Sequence, residues 1–343
     1  MRVSDFHYHI PEELIATAPP KVRGKARLLV LDRTTGAISD RLYGDIVDYL
    51  NAGDVLVIND TKVIKARLIA HKPSGGEREL VLVEKHGRID DWHTHKVIYR
   101  RKLKPGDILL VDDNKLLVKE LLGDGMAIIE SERDLLEIAE AHGSVPLPPY
   151  MRRDATKADI ERYQTVFARE QGSVAAPTAS LNMTEATLQK LRDNGVEVVY
   201  ATLHVGLGTF LPIRVDDVTD HTMHKEYFEV PAATIAAIQR AKQSGNRVIA
   251  LGTTVTRTLE YAHEVILHGP AAAISGEADI FMYPGYNFKA IDGLLTNFHM
   301  PDSTVLMLTA AFAGWDKLKP AYQHAVAEKY RFFSYGDSML ITD

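Results

Sequence analysis

The chain contains no cysteine, so disulfides and thiolate metal ligands are excluded; this fits a reducing compartment. Long hydrophobic runs are also missing: the longest apolar stretch, VLMLTAAFAGW, is too short to span a bilayer. The start, MRVSDFHYHIPEELI, lacks the basic start and apolar core of a signal peptide, and a cytoplasmic protein without membrane attachment is expected. Net positive charge is absent as well. Forty basic against 46 acidic residues give −6, whereas a protein wrapping nucleic acid over a wide face is usually basic overall. Any nucleic-acid partner is therefore held by a local patch such as Arg100-Arg101-Lys102-Leu103-Lys104, ahead of the Pro105-Gly106-Asp107 turn. Such a run also serves as a solvated strand edge that blocks aggregation. What is present is ordinary for a soluble globular protein, and 343 residues suffice for two domains or one large one.

Two grammars divide the chain. From about Lys65 to Glu130, short β-type runs (ELVLVEK, HKVIYRR, DILLVDD, KLLVKELL, MAIIES) alternate with turn clusters rich in glycine, proline and aspartate. Strands at this spacing predict a small all-β unit, sheet or barrel. A helix is expected over Glu132 to His142, stopped by Gly143 and the proline-rich SVPLPPY. After Tyr150 helices and strands alternate. Thr184 caps a helix through NMTEATLQKLRDN, the strand VEVVYATLHV follows, and Pro231 opens the helix AATIAAIQRAKQSG before the strand RVIAL. Gly252-Thr253-Thr254 turns that strand into the helix VTRTLEYAHEVIL; DIFMY and GLLTNF read as strands, and Asp302 or Ser303 caps TVLMLTAAFAG. The first sixty or so residues, with strands RLLVLDR and DVLVIND and a helix near YGDIVDYLN, follow the same α/β pattern with a mostly parallel sheet. The expected organisation is a discontinuous α/β domain, residues 1–64 and 151–343, interrupted by an inserted β domain at 65–150.

Chemistry concentrates between Thr202 and Glu226, where His204, His221 and His224 accompany Gly206, Gly208 and Glu226. Glycine just past a strand lets a ligand approach the main chain, and a strand's C-terminal end in an α/β fold is where sites lie. A lone histidine in a loop is commonly a satisfied surface group; this combination is not typical of ordinary loops. The histidines with Glu226 offer nitrogen and oxygen ligands for a metal. Pro212 and the acidic VDDVTD imply an irregular loop, so acid–base duty is preferred and no metal is expected. The strand–Gly252-Thr253-Thr254–helix unit aims backbone N–H groups at an anion such as a carboxylate. Arg257 and Glu260, three apart on one helical face, either pair with each other or face that ligand. The uncharged small-residue run Gly172 to Ser180 reads as backbone packed against a ligand, with Ser173, Pro177 and Thr178 as contacts. Aromatics in YPGY, TNFH and YRFFSYGD are mostly core, with a few available to stack on a base or face a cation.

Over the segments IPEELIA, ARLLVLDR, GDVLVINDTKVIKARL, VPLPPY, ERYQTVFA, GSVAAPTA, TLHVGLGTF, HTMHKE, GTTVTRTLE, YPGYNFKAIDGLLTNFHMP, STVLMLTAAFAG and YRFFSYGD, the chain resembles the S-adenosylmethionine:tRNA ribosyltransferase-isomerases of queuosine biosynthesis. The resemblance implies a barrel-like α/β catalytic domain carrying a small β-barrel insertion. It implies that the ribosyl group of S-adenosylmethionine moves onto the aminomethyl group of a deazaguanine base at the tRNA wobble position. Adenine and methionine leave, and the product is epoxyqueuosine. No metal and no cofactor beyond S-adenosylmethionine as substrate is implied; a monomer is expected. The sulfonium acidifies the adjacent ribose carbon, and adenine leaves better when protonated, so His204, His224 and Glu226 are assigned to proton transfer without an order among them. Thr254 and Arg257 are assigned to polar or carboxylate ends of the donor. Gly206, Gly208, Gly252, Glu260, Asn297 and His299 are expected around the same pocket, with Phe210 and Tyr335 facing the sulfonium. Arg23, Arg27, Arg100, Arg101, Lys102 and Lys104 are assigned to tRNA phosphates. The chain departs from the family pattern at Lys65, at Ile98 to Arg101, at Asn182-Met183 and at Asp302. These departures leave open a different acceptor or an RNA-binding relative without turnover; a metal-dependent hydrolase built on the histidines is the remaining alternative.

Overall fold

The computed structural model describes residues 1–343 except 88–90, 207 and 209–212. Strands β1 (Arg27–Asp32), β2 (Ile38–Leu42) and β3 (Val55–Asn59) precede the inserted region. Every residue of β3, VLVIN, is buried, as befits a central strand covered on both faces. The helix expected near YGDIVDYLN is a short 3-10 turn, Tyr43–Asp48, in which Asp45 reaches back to the Leu42 N–H. After β4 (Thr61–Val63) come β5 (Arg67–His71), β6 (Glu77–Leu82), β7 (Thr94–Arg100), β8 (Ile108–Val111), β9 (Asn114–Gly123) and β10 (Met126–Ser131). These last six close into an antiparallel barrel of order β10-β7-β6-β5-β8-β9. Its strands alternate buried and part-exposed residues, clearest in MAIIES, so that Leu68, Leu80, Val97, Leu116, Val118 and Ile129 fill the interior. Helix α1 (Leu135–His142), capped by Asp134, packs Leu135, Ile138 and Ala139 onto that core.

The rest of the chain returns to the first sheet. Its elements are α2 (Lys157–Arg162), β11 (Glu170–Ser173), α3 (Glu185–Asp193), β12 (Glu197–Leu203), β13 (Glu226–Val230) and α4 (Ala232–Gln243). They continue as β14 (Val248–Leu251), α5 (Thr253–Tyr261), α6 (His263–His268), β15 (Ile274–Ala278), β16 (Gly293–Asn297), α7 (Thr304–Ala313), α8 (Trp315–Ala327) and β17 (Ser338–Thr342). The large sheet has nine strands in the order β15-β13-β12-β3-β14-β16-β17-β1-β2. Only its centre, β12-β3-β14-β16, is a continuous parallel block; β17 runs against β16 and the far edge, β13 and β15, is antiparallel, so the sheet is mixed. DIFMY adds no strand, because the ladder beside β13 is taken by β15 just upstream. Period-two alternation splits the core. Val55 and Val57 face α4, α5 and α7 on one side, while Leu56 and Ile58 face α3 on the other.

The α/β class with an inserted all-β barrel thus stands. Because the four central strands run the same way, their carboxyl ends at Asn59, Leu203, Leu251 and Asn297 meet along one edge, the edge where α/β sheets hold ligands. Among the described residues, no helix is long and apolar enough to cross a membrane.

Candidate active site

Asn59 sets the geometry of that edge. Its amide donates to the Leu203 carbonyl at 3.0 Å and to Thr254 Oγ1 at 3.3 Å, and its Oδ1 accepts from the N–H of Thr61 and of Leu203. One buried side chain thereby ties β3, β12 and the start of α5 together. Gly252, at φ 97°, makes the turn from β14 into α5, a conformation that disfavours residues with a Cβ. Next to it is a small cavity of about 80 Å³, walled by Pro177 and Thr178 of the small-residue run, Gly252 and Thr254, Asn297 at the end of β16 and His299 just beyond it. Tyr150 and Phe333, whose rings meet edge-on at 5.0 Å, line it too. His299 is part-buried; desolvation lowers its pKa to about 3, and Nε2 lies 2.8 Å from Thr296 Oγ1.

A second, larger cavity opens at the seam between barrel and sheet. Glu84, Lys85, His86, Trp92 and His95 contribute from the barrel side, and Gly208, His224, Lys225 and Glu277 from the sheet side. His86 bridges the two units, with Nε2 3.4 Å from Glu84 and Nδ1 3.0 Å from Glu277. The bond to Glu84 raises its pKa above the usual histidine value, against burial and with Glu277 adding.

The expected acid–base residues lie around the first turn beyond β12 and at the head of β13. His204 is 2 % exposed, with Nδ1 2.8 Å from Thr61 Oγ1. Burial, assisted by the nearby positive charge of Lys85 and by His86, depresses its pKa to about 3, so the imidazole is neutral near pH 7. Glu226 is fully buried. Burial alone pushes its carboxyl up, but the Arg257 guanidinium, His224 and the Gly206 N–H pull it down to about 2. Arg257 Nη1 donates to Glu226 Oε2, and the Gly206 N–H donates to Oε1 at 3.0 Å. His224 lies with Nε2 3.4 Å from Glu226 Oε1 and keeps about a quarter (27 %) of its side chain exposed to the seam. The arrangement is a histidine that solvent can reach, backed by a permanently ionised carboxylate that is anchored by an arginine. Such a pair orients the ring and places it to give and take a proton at the seam.

Several expected residues are placed elsewhere. Arg257 holds Glu226 and the carbonyls of His224 and Ala278, so its fork faces the protein's own groups and not a bound carboxylate. Glu260 neither pairs with Arg257 nor faces the cavity: its carboxylate accepts the N–H groups of Lys289, Ala290 and Ile291 and the Tyr286 hydroxyl. Tyr335 is buried against Tyr163 with its hydroxyl on Asp159, and Tyr150 and Phe333 supply the aromatic wall. Ser173 is enclosed, its Oγ accepting the Val205 N–H. The Gly206 N–H serves Glu226, and Gly208 packs against the His224 ring. Phe210 lies outside the described residues.

Arg23 donates to the carbonyls of Gln164 and Glu161, and Arg27 to that of Glu328 while stacking on Tyr330, so both brace the chain. Arg100, Arg101, Lys102 and Lys104 are exposed on the barrel. Among the departures, Asn182 bonds to Gly336 and Ser338, Met183 is core, Lys65 pairs with Glu140, and Asp302 contacts His7. Asn59, Glu84, Lys85 and His86 were not singled out from sequence. For Asn59, its place at the end of a fully apolar strand was the available signal; the barrel residues carried none. Among the described residues, no group of three or more histidine, cysteine, aspartate or glutamate side chains is arranged to hold a metal ion.

Comparison with known proteins gives the family. The family described as "Queuosine biosynthesis protein" matches residues 3–341. An S-adenosylmethionine:tRNA ribosyltransferase-isomerase of Chlorobaculum parvum is 54 % identical, covering 100 % of both chains. One from Geobacter sulfurreducens is 50 % identical over 99 % of this chain and 100 % of its own. A solved structure of S-adenosylmethionine tRNA ribosyltransferase from Thermotoga maritima is 34 % identical, covers 98 % of this chain and 100 % of its own, and superposes with a TM-score of 0.58. From its first residues to its last strand, the chain belongs to the queuosine biosynthesis protein family.

Proposed function

We propose that the chain transfers and isomerises the ribosyl moiety of S-adenosylmethionine onto the 7-aminomethyl-7-deazaguanine base at the tRNA wobble position, releasing adenine and methionine and leaving epoxyqueuosine. The observation that carries this reading is His224, which lines the larger of two cavities at the barrel seam and is backed by the buried Glu226–Arg257 pair, with the smaller cavity lying at Gly252 and Asn297. The smaller cavity suits part of a small donor, and the larger one at the seam suits a base presented by a large nucleic acid. His224 is assigned to proton transfer and Glu226 to holding it. His204, neutral and buried, is assigned to hydrogen bonding beside the reacting ribose. The exposed basic run Arg100 to Lys104 is assigned to tRNA phosphates. S-adenosylmethionine is taken as substrate, with no further cofactor, in a cytoplasmic monomer whose domains are 1–64 with 151–343 and the insert 65–150. Asn182 and Met183 point into the protein's own packing, which argues against reading them as a changed acceptor site.

The test is incubation with S-adenosylmethionine and tRNA carrying the aminomethyl base. Adenine release that requires that tRNA is expected, with kcat lowered about 10²- to 10⁴-fold in His224→Asn. Release with another acceptor supports a divergent transferase, and tRNA binding without release a non-catalytic relative. Full turnover by His224→Asn removes that residue from the mechanism.

A further inference from the structure

We propose that the smaller cavity takes the amino-acid end of the sulfonium donor, with the carboxylate at the open N-terminus of α5 and the ammonium at Asn297 Oδ1. This rests on reading the chain as a user of S-adenosylmethionine and adds which end of that molecule lies where.

Asn297 is 2 % exposed and lines the cavity. Its Nδ2 donates to the Asp337 carbonyl at 3.3 Å, which fixes the orientation of the amide. Its Oδ1 is buried and finds no partner among the described residues. A buried acceptor without a donor is costly, so a ligand that brings N–H groups to it gains affinity.

The start of α5 is the second observation. This nine-residue helix opens onto the cavity through Gly252, Thr253 and Thr254, and no side chain among the described residues caps it. Helix α7 starts at the same cavity, but there Ser303 Oγ accepts the Leu306 N–H at 3.2 Å. The two helices thus differ: one terminus is satisfied internally, while the other presents first-turn N–H groups and the positive end of its dipole.

The lining contains no lysine, arginine, aspartate or glutamate, and its one histidine is neutral. A net-neutral head group with one anionic and one cationic end matches both unsatisfied features at once. A sulfonium placed here would face the wrong end of α5. Adenine would satisfy Asn297 but bring no anion to the helix. Val205, next in the chain to His204, forms part of the cavity wall, so a donor held by its amino-acid end lies beside the acid–base cluster.

Titration calorimetry on the full chain, with and without tRNA, compares S-adenosylmethionine with its decarboxylated and deaminated analogues. Each analogue is expected to bind at least about tenfold more weakly than the parent, the scale of one hydrogen bond to a charged group. Asn297→Ala is expected to weaken the parent about tenfold while leaving the deaminated analogue within about twofold. Equal binding of the decarboxylated analogue, or an Asn297→Ala loss that is the same for all three ligands, overturns the assignment. Competition by free adenine and not by free methionine places the base in this cavity and also overturns it. Failure of S-adenosylmethionine to bind in either condition overturns the functional reading itself, so the two failures are distinct. The analogue comparison uses the unaltered protein and stands even where the variant does not fold.

Discussion

Removing one member of the Glu226–Arg257 pair leaves its partner charged where little water reaches: Glu226 is fully buried and Arg257 is 4 % exposed. Glu226→Ala and Arg257→Ala are each expected to destabilise the protein by roughly 3–5 kcal/mol, read as a lowered urea midpoint with unchanged slope. A loss under about 1 kcal/mol in either would show that the pair is not a buried anchor. The sequence brought His204, His224 and Glu226 into one site because all three sit on a single strand–loop–strand segment, where proximity in the chain stands in for proximity in space. It did not reveal that Arg257 is committed to Glu226, since α5 meets β13 only through the folded sheet. Tyr335 failed as a cavity wall for the related reason that its neighbour Phe333, two residues away in the same aromatic run, is the one whose ring reaches the cavity.

Elements were legible where periodicity decides them. The barrel strands and the strand–helix alternation after Tyr150 follow from apolar spacing and turn residues, and Thr184 and Ser303 cap the helices that they precede. Boundaries that depend on neighbours were not legible. DIFMY has strand composition but no ladder to join, while Ser338–Thr342, short and late in the chain, becomes a fully buried strand because β16 and β1 both need a partner. Glu260 shows an element held by a side chain rather than by its own propensity: one carboxylate gathers three successive backbone N–H groups just ahead of β16. In Glu260→Ala those donors lose their acceptor, with an expected cost of about 3 kcal/mol. Amide exchange at Lys289, Ala290 and Ile291 should accelerate more than elsewhere in the sheet. Unchanged protection at these three amides would mean that the carboxylate is dispensable to the turn.

For the whole molecule, several buried or part-buried groups share one pH dependence. His204 and His299 titrate near 3 when folded against an ordinary 6.5, and Glu226 near 2 against 4.5. In each case the unfolded chain binds the proton first, so the associated stability is present above the ordinary pKa and is lost as pH falls below it. His86 has the opposite sign: its raised pKa contributes below the ordinary value and fades as pH rises through the folded one. Unfolding stability is therefore expected to drop between pH 6.5 and 5 by up to about 4 kcal/mol, at most about 1.4 kcal/mol per pH unit from each of the two histidines. Urea midpoints across that range check it; a flat profile would show that neither ring is kept neutral by the fold.

The barrel also meets the sheet at two glycines. A β-carbon at Gly172, whose φ is 146°, would fall 2.8 Å from Lys85 Cβ and 2.9 Å from His204 Cε1; one at Gly206 would fall 2.3 Å from Glu84 Oε1. Bare backbone at these two points lets the insert seat directly over the histidine it covers. The β unit is thus less an appended module than the upper jaw of a vice, machined so closely that a single methyl group would hold it ajar.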